Sequence, residues 1–198
     1  MTKQNIDGRQ IVSGLIQAEQ AIYEQLTELV GEDAKDAVQT IRQHAVVAAT
    51  CGVGVFVPGA DLLAFVANTW TMYARINSAL GISLSKNALK SIATAVGTNV
   101  ISIIPGTALA SVGGSILKAI PGLGTIGGMA VAGTTYYALS TVMGWIYLKA
   151  ITTLVSSNET INEANVKAAT QEASKDESFV KSTYNTAKSD YKKDTKDN

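Results

Sequence analysis

Few residues in this chain could do chemistry, and its one histidine and one cysteine come first. His44 and Cys51 stand seven positions apart, about two turns along one face of a helix. Such a pair is nucleophilic when the thiol is accessible and its pKa is lowered. Both residues lie in an Ala/Val-rich stretch, which favours two core residues over a reactive pair. Further ligands at useful spacing are missing, so no metal site is expected. Asp61 is the one carboxylate between residues 43 and 149. It follows Pro58-Gly59, where the start of a helix favours negative charge, and that role is expected ahead of general-base work. Arg75 is either its partner or a solvated arginine. Lys118 falls in a turn between apolar segments, where it would meet a phosphate headgroup or only keep the turn wet. Gly113-Gly-Ser-Ile-Leu-Lys118 lacks the glycine that a phosphate-binding loop places before its lysine. No catalytic residue, cofactor or metal is expected, and the chain reads as a non-enzyme.

The charge pattern says what must position these residues. Sixteen basic and sixteen acidic side chains balance, which removes the electrostatic footprint of a nucleic-acid binder. Residues 1–42 and 150–198 hold nearly all of them; residues 43–149 carry only Asp61, Arg75, Lys86, Lys90, Lys118 and Lys149. Two polar ends therefore flank an apolar middle. A lone cysteine precludes an intramolecular disulfide, and residues 1–9 lack the apolar run of a secretory signal. The expected location is the cytoplasmic side of a membrane, peripheral or integral, with the cytoplasm as runner-up.

The apolar spacing predicts helices throughout and no strands. Asp7-Gly-Arg-Gln10 has capping-box spacing ahead of a stripe of Ile11, Val12, Leu15, Ile16, Ile22, Leu26 and Leu29, with Glu19, Gln20, Glu24 and Glu28 opposite. Gly31 ends that helix, Asp33 or Asp36 starts the next, and Gly52-Val-Gly54 stops it. The three prolines all precede glycine, at Pro58, Pro105 and Pro121, and each reads as a break between helices. Helices are expected at about 60–80, 85–103, 107–119 and 123–155, with Ser83 or Ser85 capping the second of these. Trp70 and the Tyr136–Tyr137 pair read as core or interface aromatics. The whole is an all-α bundle: a single helical domain over 1–156, with an apolar block at 45–155. A polar tail over 157–198 is expected to be weakly helical or disordered, with Val180, Tyr184, Ala187 and Tyr191 at helical spacing.

Residues 91–117 and 119–148 are uncharged, each longer than the roughly 20 residues that cross a bilayer as a helix. Small residues recur every fourth position, as Gly106, Ala110 and Gly114, then Gly124, Gly128 and Ala132. That spacing lets helix backbones approach and predicts a central glycine-rich apolar hairpin turning at Lys118. Trp145 and Tyr147 beside Lys149 are expected as an interfacial anchor. Against a spanning role stand the richness in Gly, Ser and Thr, the break at Pro105, and a mean hydropathy of only +0.17. A buried hairpin in a soluble bundle is the alternative.

The order of these signals resembles a known family. Pro58-Gly-Ala-Asp61 opens an apolar helix; Met72 to Ile76 leads to Gly81; Lys118-Ala-Ile-Pro121 forms a turn; and a Gly-rich helix carries Thr135-Tyr-Tyr-Ala138-Leu139. Over about residues 45–152 this is similar to the YcjF-like domain of unknown function, often joined to or encoded beside Era-type GTPase domains. Ser140 stands where that family often has glycine. The resemblance implies a membrane-associated helical module without a set of catalytic residues, and a GTPase supplied in trans as partner. The expected function is thus a scaffold or regulator that engages membrane lipid or partner helices. A soluble protein–protein assembly module, pairing with a second copy as a homo-oligomer, is the alternative. A pore-forming or membrane-perturbing protein is the third reading.

Overall fold

The computed structural model describes residues 15–54, 60–104 and 126–194. Among the described residues there are seven helices and no strand: α1 (Gln17–Val30), α2 (Asp33–Gly54), α3 (Ala60–Ala79), α4 (Lys86–Ile103), α5 (Ile126–Ser156), α6 (Glu163–Ala173) and α7 (Glu177–Asp194). Their ends follow local chemistry. Ser85 caps α4 by accepting from the Ala88 N–H at 3.2 Å, and Asn162 caps α6 by accepting from the Asn165 N–H at 2.9 Å. Gly31 and Gly81 end α1 and α3 at φ of 62° and 67°, a conformation that glycine enters without the Cβ penalty. The Ile82 N–H closes the α3 end on the Asn77 carbonyl at 2.8 Å.

Helix α5 is the axis of the fold and touches each of the other six. It is apolar almost all round, and a helix without a polar face must be covered on every side. From Thr134 to Leu154 nearly every turn is buried, with Ile146, Tyr147 and Leu148 fully enclosed. Burying a side chain of that size contributes about 1.5–3 kcal/mol. Helices α2, α3, α4 and α5 alternate in direction. Tyr73 and Asn77 of α3 meet Met143 and Tyr147 of α5 in parallel register, while His44 of α2 faces Asn68 of the antiparallel α3. Consequently Gly54, Ala60, Ile103 and Ile126 all come to one end of the bundle.

The alternating arrangement brings α2 very close to α5. A Cβ placed on Gly144 would lie 2.7 Å and 2.8 Å from the two γ carbons of Ile41. The facing side of α2 is correspondingly alanine-rich, with Ala34, Ala37, Ala45 and Ala48 all buried. Small residues do let helix backbones close up here. The described contact lies at Gly144, whereas Gly106, Gly114 and Gly124 of the expected hairpin lie outside the described residues.

Two expectations change. Ile16 is extended and α1 begins at Gln17, so the start expected at Asp7 to Gln10 lies outside the described residues. Within α1 the buried face is Glu19, Ile22 and Leu26, while Leu29 is exposed. Glu19 belongs to that face because 19, 22 and 26 are spaced three and four apart. The polar tail is also more ordered than a weak helix. Residues 163–194 form α6 and α7, which insert Val166, Phe179, Val180, Tyr184 and Ala187 into the same core as α5.

Candidate functional site

The residue that stands out is Glu19, a carboxyl buried to 3 % exposure beside a cleft of about 330 Å³. Four helices build that cleft. Leu15 precedes α1, which brings Glu19; α2 brings Val38, Ile41 and Arg42; α5 brings Tyr137, Thr141 and Trp145; α7 brings Thr186, Ala187, Asp190 and Lys193. Glu19 is held at the third position of α1 because its carboxylate accepts the otherwise unpaired Ile16 N–H at 3.2 Å. This is the return half of a capping box. Burial pushes the Glu19 carboxyl up to about 7. The Ile16 N–H opposes that rise, as does the Thr183 hydroxyl, and among the nearby charges Asp190 adds to it while Arg42 relieves it. The Thr183 hydroxyl is itself buried and short of full hydrogen-bond geometry. A carboxyl that changes charge near neutrality suits proton-linked behaviour.

His44 is the second buried titratable group, and its surroundings differ. Its Nδ1 lies 2.7 Å from Asn68 Oδ1, and Asn68 Nδ2 donates to the His44 carbonyl at 2.9 Å. The Asn68 amide orientation makes Nδ1 the protonated nitrogen, so Nε2 accepts from Arg75 Nη1 at 3.3 Å. Arg75 Nη2 also donates to Gln43 Oε1 at 2.7 Å. Burial first, then the Arg75 charge, lower the His44 pKa against the Asn68 hydrogen bonds. With both ring nitrogens engaged, His44 joins α2 to α3 and leaves no lone pair for a substrate. Arg75 is thus tied to the α2 polar cluster. The Cys51 and Asp61 side chains lie outside the described residues, and with them the expected His44–Cys51 and Arg75–Asp61 relations.

A third polar cluster lies in the core. Tyr73 and Tyr147 stack with centroids 4.1 Å apart and planes at 10°. The Tyr147 hydroxyl donates to Asn77 Oδ1 at 2.8 Å, and the Tyr73 hydroxyl to the Met143 carbonyl at 3.2 Å. Burial raises the pKa of both phenols, which stay neutral hydrogen-bond donors.

The residues singled out by sequence are spread over the chain. Pro58, Gly106, Gly114, Lys118, Pro121 and Gly124 lie outside the described residues. Asp61 stands in the first turn of α3 and Gly128 in the first turn of α5. Trp145 is 2 % exposed and Tyr147 is fully buried, so the interfacial anchor expected there is a core contact instead. Lys149 completes the correction: it pairs with Asp176 at 2.7 Å and lies 4.6 Å from the Phe179 ring centroid. The cause is the ordered tail, whose α7 covers this stretch of α5. Glu19 was missed, although a glutamate in step with Ile22 and Leu26 is a legible sign of a buried acid. Among the described residues no cluster of His, Cys, Asp and Glu could hold a metal ion.

These features define an all-α bundle wrapped around one apolar helix, with a carboxyl-lined cleft on one flank. No protein-family model, curated protein or solved structure matches the chain.

Proposed function

We propose that this protein is a non-enzymatic, membrane-associated helical module that scaffolds or regulates a partner protein. The observation that supports this most is the gathering of Gly54, Ala60, Ile103 and Ile126 at one end of the bundle. The sequence that continues from those ends, residues 55–59 and 105–125, has Lys118 as its single charge. Such a composition is better matched to lipid or to a partner's apolar surface than to water. Helix α5 supports an end-on mode of contact. Its segment Gly133–Ser156 is long and apolar enough to cross a membrane, with 78 % of its most apolar window already buried inside the bundle. A GTPase acting in trans is the partner favoured by the resemblance described above.

Flotation with phosphatidylethanolamine/phosphatidylglycerol vesicles tests this reading. The full chain should float, and high salt should not release it. Joint replacement Leu109→Glu and Ile116→Glu should abolish flotation while the far-ultraviolet circular dichroism stays helical. A chain that remains with the soluble fraction in all lipid mixtures overturns the proposal. The same 78 % burial of the α5 window favours a second reading, a protein–protein assembly module that works away from lipid. A discrete monomer or dimer by light scattering without detergent, combined with no flotation, would select it.

A further inference from the structure

Helix α1 covers one flank of α5 through a narrow apolar strip. Ile22 and Leu26 are its buried apolar residues, joined by half-buried Leu15, Tyr23 and Val30 against the core. The third buried side chain of that strip is Glu19, where apolar packing would call for another aliphatic residue. Among the described residues its carboxyl faces a cleft with three other charged groups: Arg42 from α2, and Asp190 and Lys193 from α7. Helix α5 offers only Tyr137, Thr141 and Trp145, and α1 adds no second charge. Lys193 lies toward Asp190, at 3.9 Å, and Asp190 opposes ionisation of Glu19.

We propose that Glu19 is a proton-operated latch: neutral, it holds α1 across the α5 flank, and ionised, it loosens α1 and opens the cleft. The direction follows from linkage. Burial raises the carboxyl pKa in the closed state from 4.5 to about 7, so the closed state binds the proton more tightly than an open, hydrated one. The stabilisation of the closed state is complete below the open-state pKa. It declines as pH rises and is gone above the closed-state pKa. The latch therefore closes on acidification and loosens as the pH passes through neutrality, whether or not the module meets a bilayer. What it exposes further is the Trp145 side of α5, where Trp145 is 2 % exposed in the closed state.

Hydrogen exchange on the full chain reads the latch directly. After correction for intrinsic rates, protection of residues 17–30 should fall about 10-fold from pH 6 to pH 8.5, because that interval crosses the closed-state value near 7 and lies wholly above the open-state value of 4.5. Protection of α4 should change much less. Glu19→Gln keeps the shape and removes the proton, so its α1 protection should be flat over the same range. Equal protection of wild-type α1 at both pH values overturns the latch, and so does an identical loss in Glu19→Gln. Should that variant fail to fold, carboxyl carbon-13 titration of the wild type decides. A Glu19 midpoint near 7 supports the latch, and one near 4.5 removes it.

Discussion

The two sides of α5 solve the same packing problem in opposite ways. Toward α2, the interface is so close that Gly144 has no room for a side chain against Ile41. The buried polar pair beside it is matched: His44 and Asn68 hydrogen-bond each other, and the exposed Arg75 donates to His44 Nε2. Toward α1 and α7, Tyr137, Thr141 and Trp145 of the same helix line a cleft of about 330 Å³ into which α2 also reaches. The nearby charges act on the buried acid there in opposite directions, Arg42 favouring its ionised form and Asp190 opposing it. Trp145, next in sequence to Gly144, lines that cleft. A packed and satisfied side has no low-energy way to move, whereas a hollow side carrying an ionisable group does. The contrast separates what builds this molecule from what it could use to respond.

The sharpest way to break the contrast is to fill the tight side. Gly144→Leu should cost more than about 3 kcal/mol, because overpacking a rigid interface forces two helices apart. Loss of the cooperative urea transition, or a soluble but non-cooperative chain, is the expected result. An unchanged transition midpoint would mean that α2 and α5 can separate freely.

The matched polar cluster comes next. Asn68→Ala leaves the His44 Nδ1–H buried without an acceptor, and the His44 carbonyl loses a donor. A cost of about 1–3 kcal/mol is expected from the unsatisfied group. The loss should be similar at pH 7 and pH 8, since burial and the Arg75 charge hold the His44 pKa below its ordinary value. Urea unfolding at the two pH values checks both statements.

On the hollow side the sign reverses and becomes pH-dependent. Glu19→Gln should be close to neutral at pH 5, where wild-type Glu19 is protonated in the fold. At pH 8.5 it should be stabilising by about 1–3 kcal/mol, because the glutamine avoids burying a charge. A variant that destabilises equally at both pH values would show that the Ile16 cap, and not the charge, is what Glu19 contributes.

How much of this was legible in the sequence depends on whether local or tertiary chemistry decides. Proline, glycine and serine act locally, so Gly31, and Ser85 of the two serines Ser83 and Ser85, mark helix ends that the structure shares, and α3 to α5 fall within a few residues of expectation. The surroundings of Trp145 and Lys149 are tertiary: the spacing of Val180, Tyr184 and Ala187 marks a helix, but nothing in that spacing says that the tail packs on α5. Glu19 was placed on the polar face by residue type, when its spacing to Ile22 and Leu26 placed it in the core. Gly144 was passed over for the four-residue spacing at Gly124 and Gly128. Its importance comes from the β-branched residue that faces it, which no spacing within α5 could reveal.

The finest test separates two mid-helix glycines that face the same interface region. Gly97 of α4 and Gly144 of α5 both have helical backbones, where alanine is intrinsically better by about 1 kcal/mol. A Cβ on Gly97 meets one atom, the Met143 ε-carbon at 3.4 Å, the free end of a flexible chain that can swing aside. A Cβ on Gly144 meets three carbons of Ile41 at 2.7–3.1 Å, and a β-branched side chain in a helix has one strongly preferred rotamer. Gly97→Ala should therefore be neutral or stabilising by up to about 1 kcal/mol, with propensity deciding the sign. Gly144→Ala should cost about 1–3 kcal/mol, with overpacking exceeding the propensity gain. Paired thermal and urea unfolding gives the difference directly. Adding Ile41→Ala to Gly144→Ala should recover part of the loss, because the smaller side chain removes the clash that caused it. If Gly97→Ala is the more damaging of the two, the tight interface lies between α4 and α5, and the division of α5 into a rigid and a responsive side would have to be redrawn around Met143.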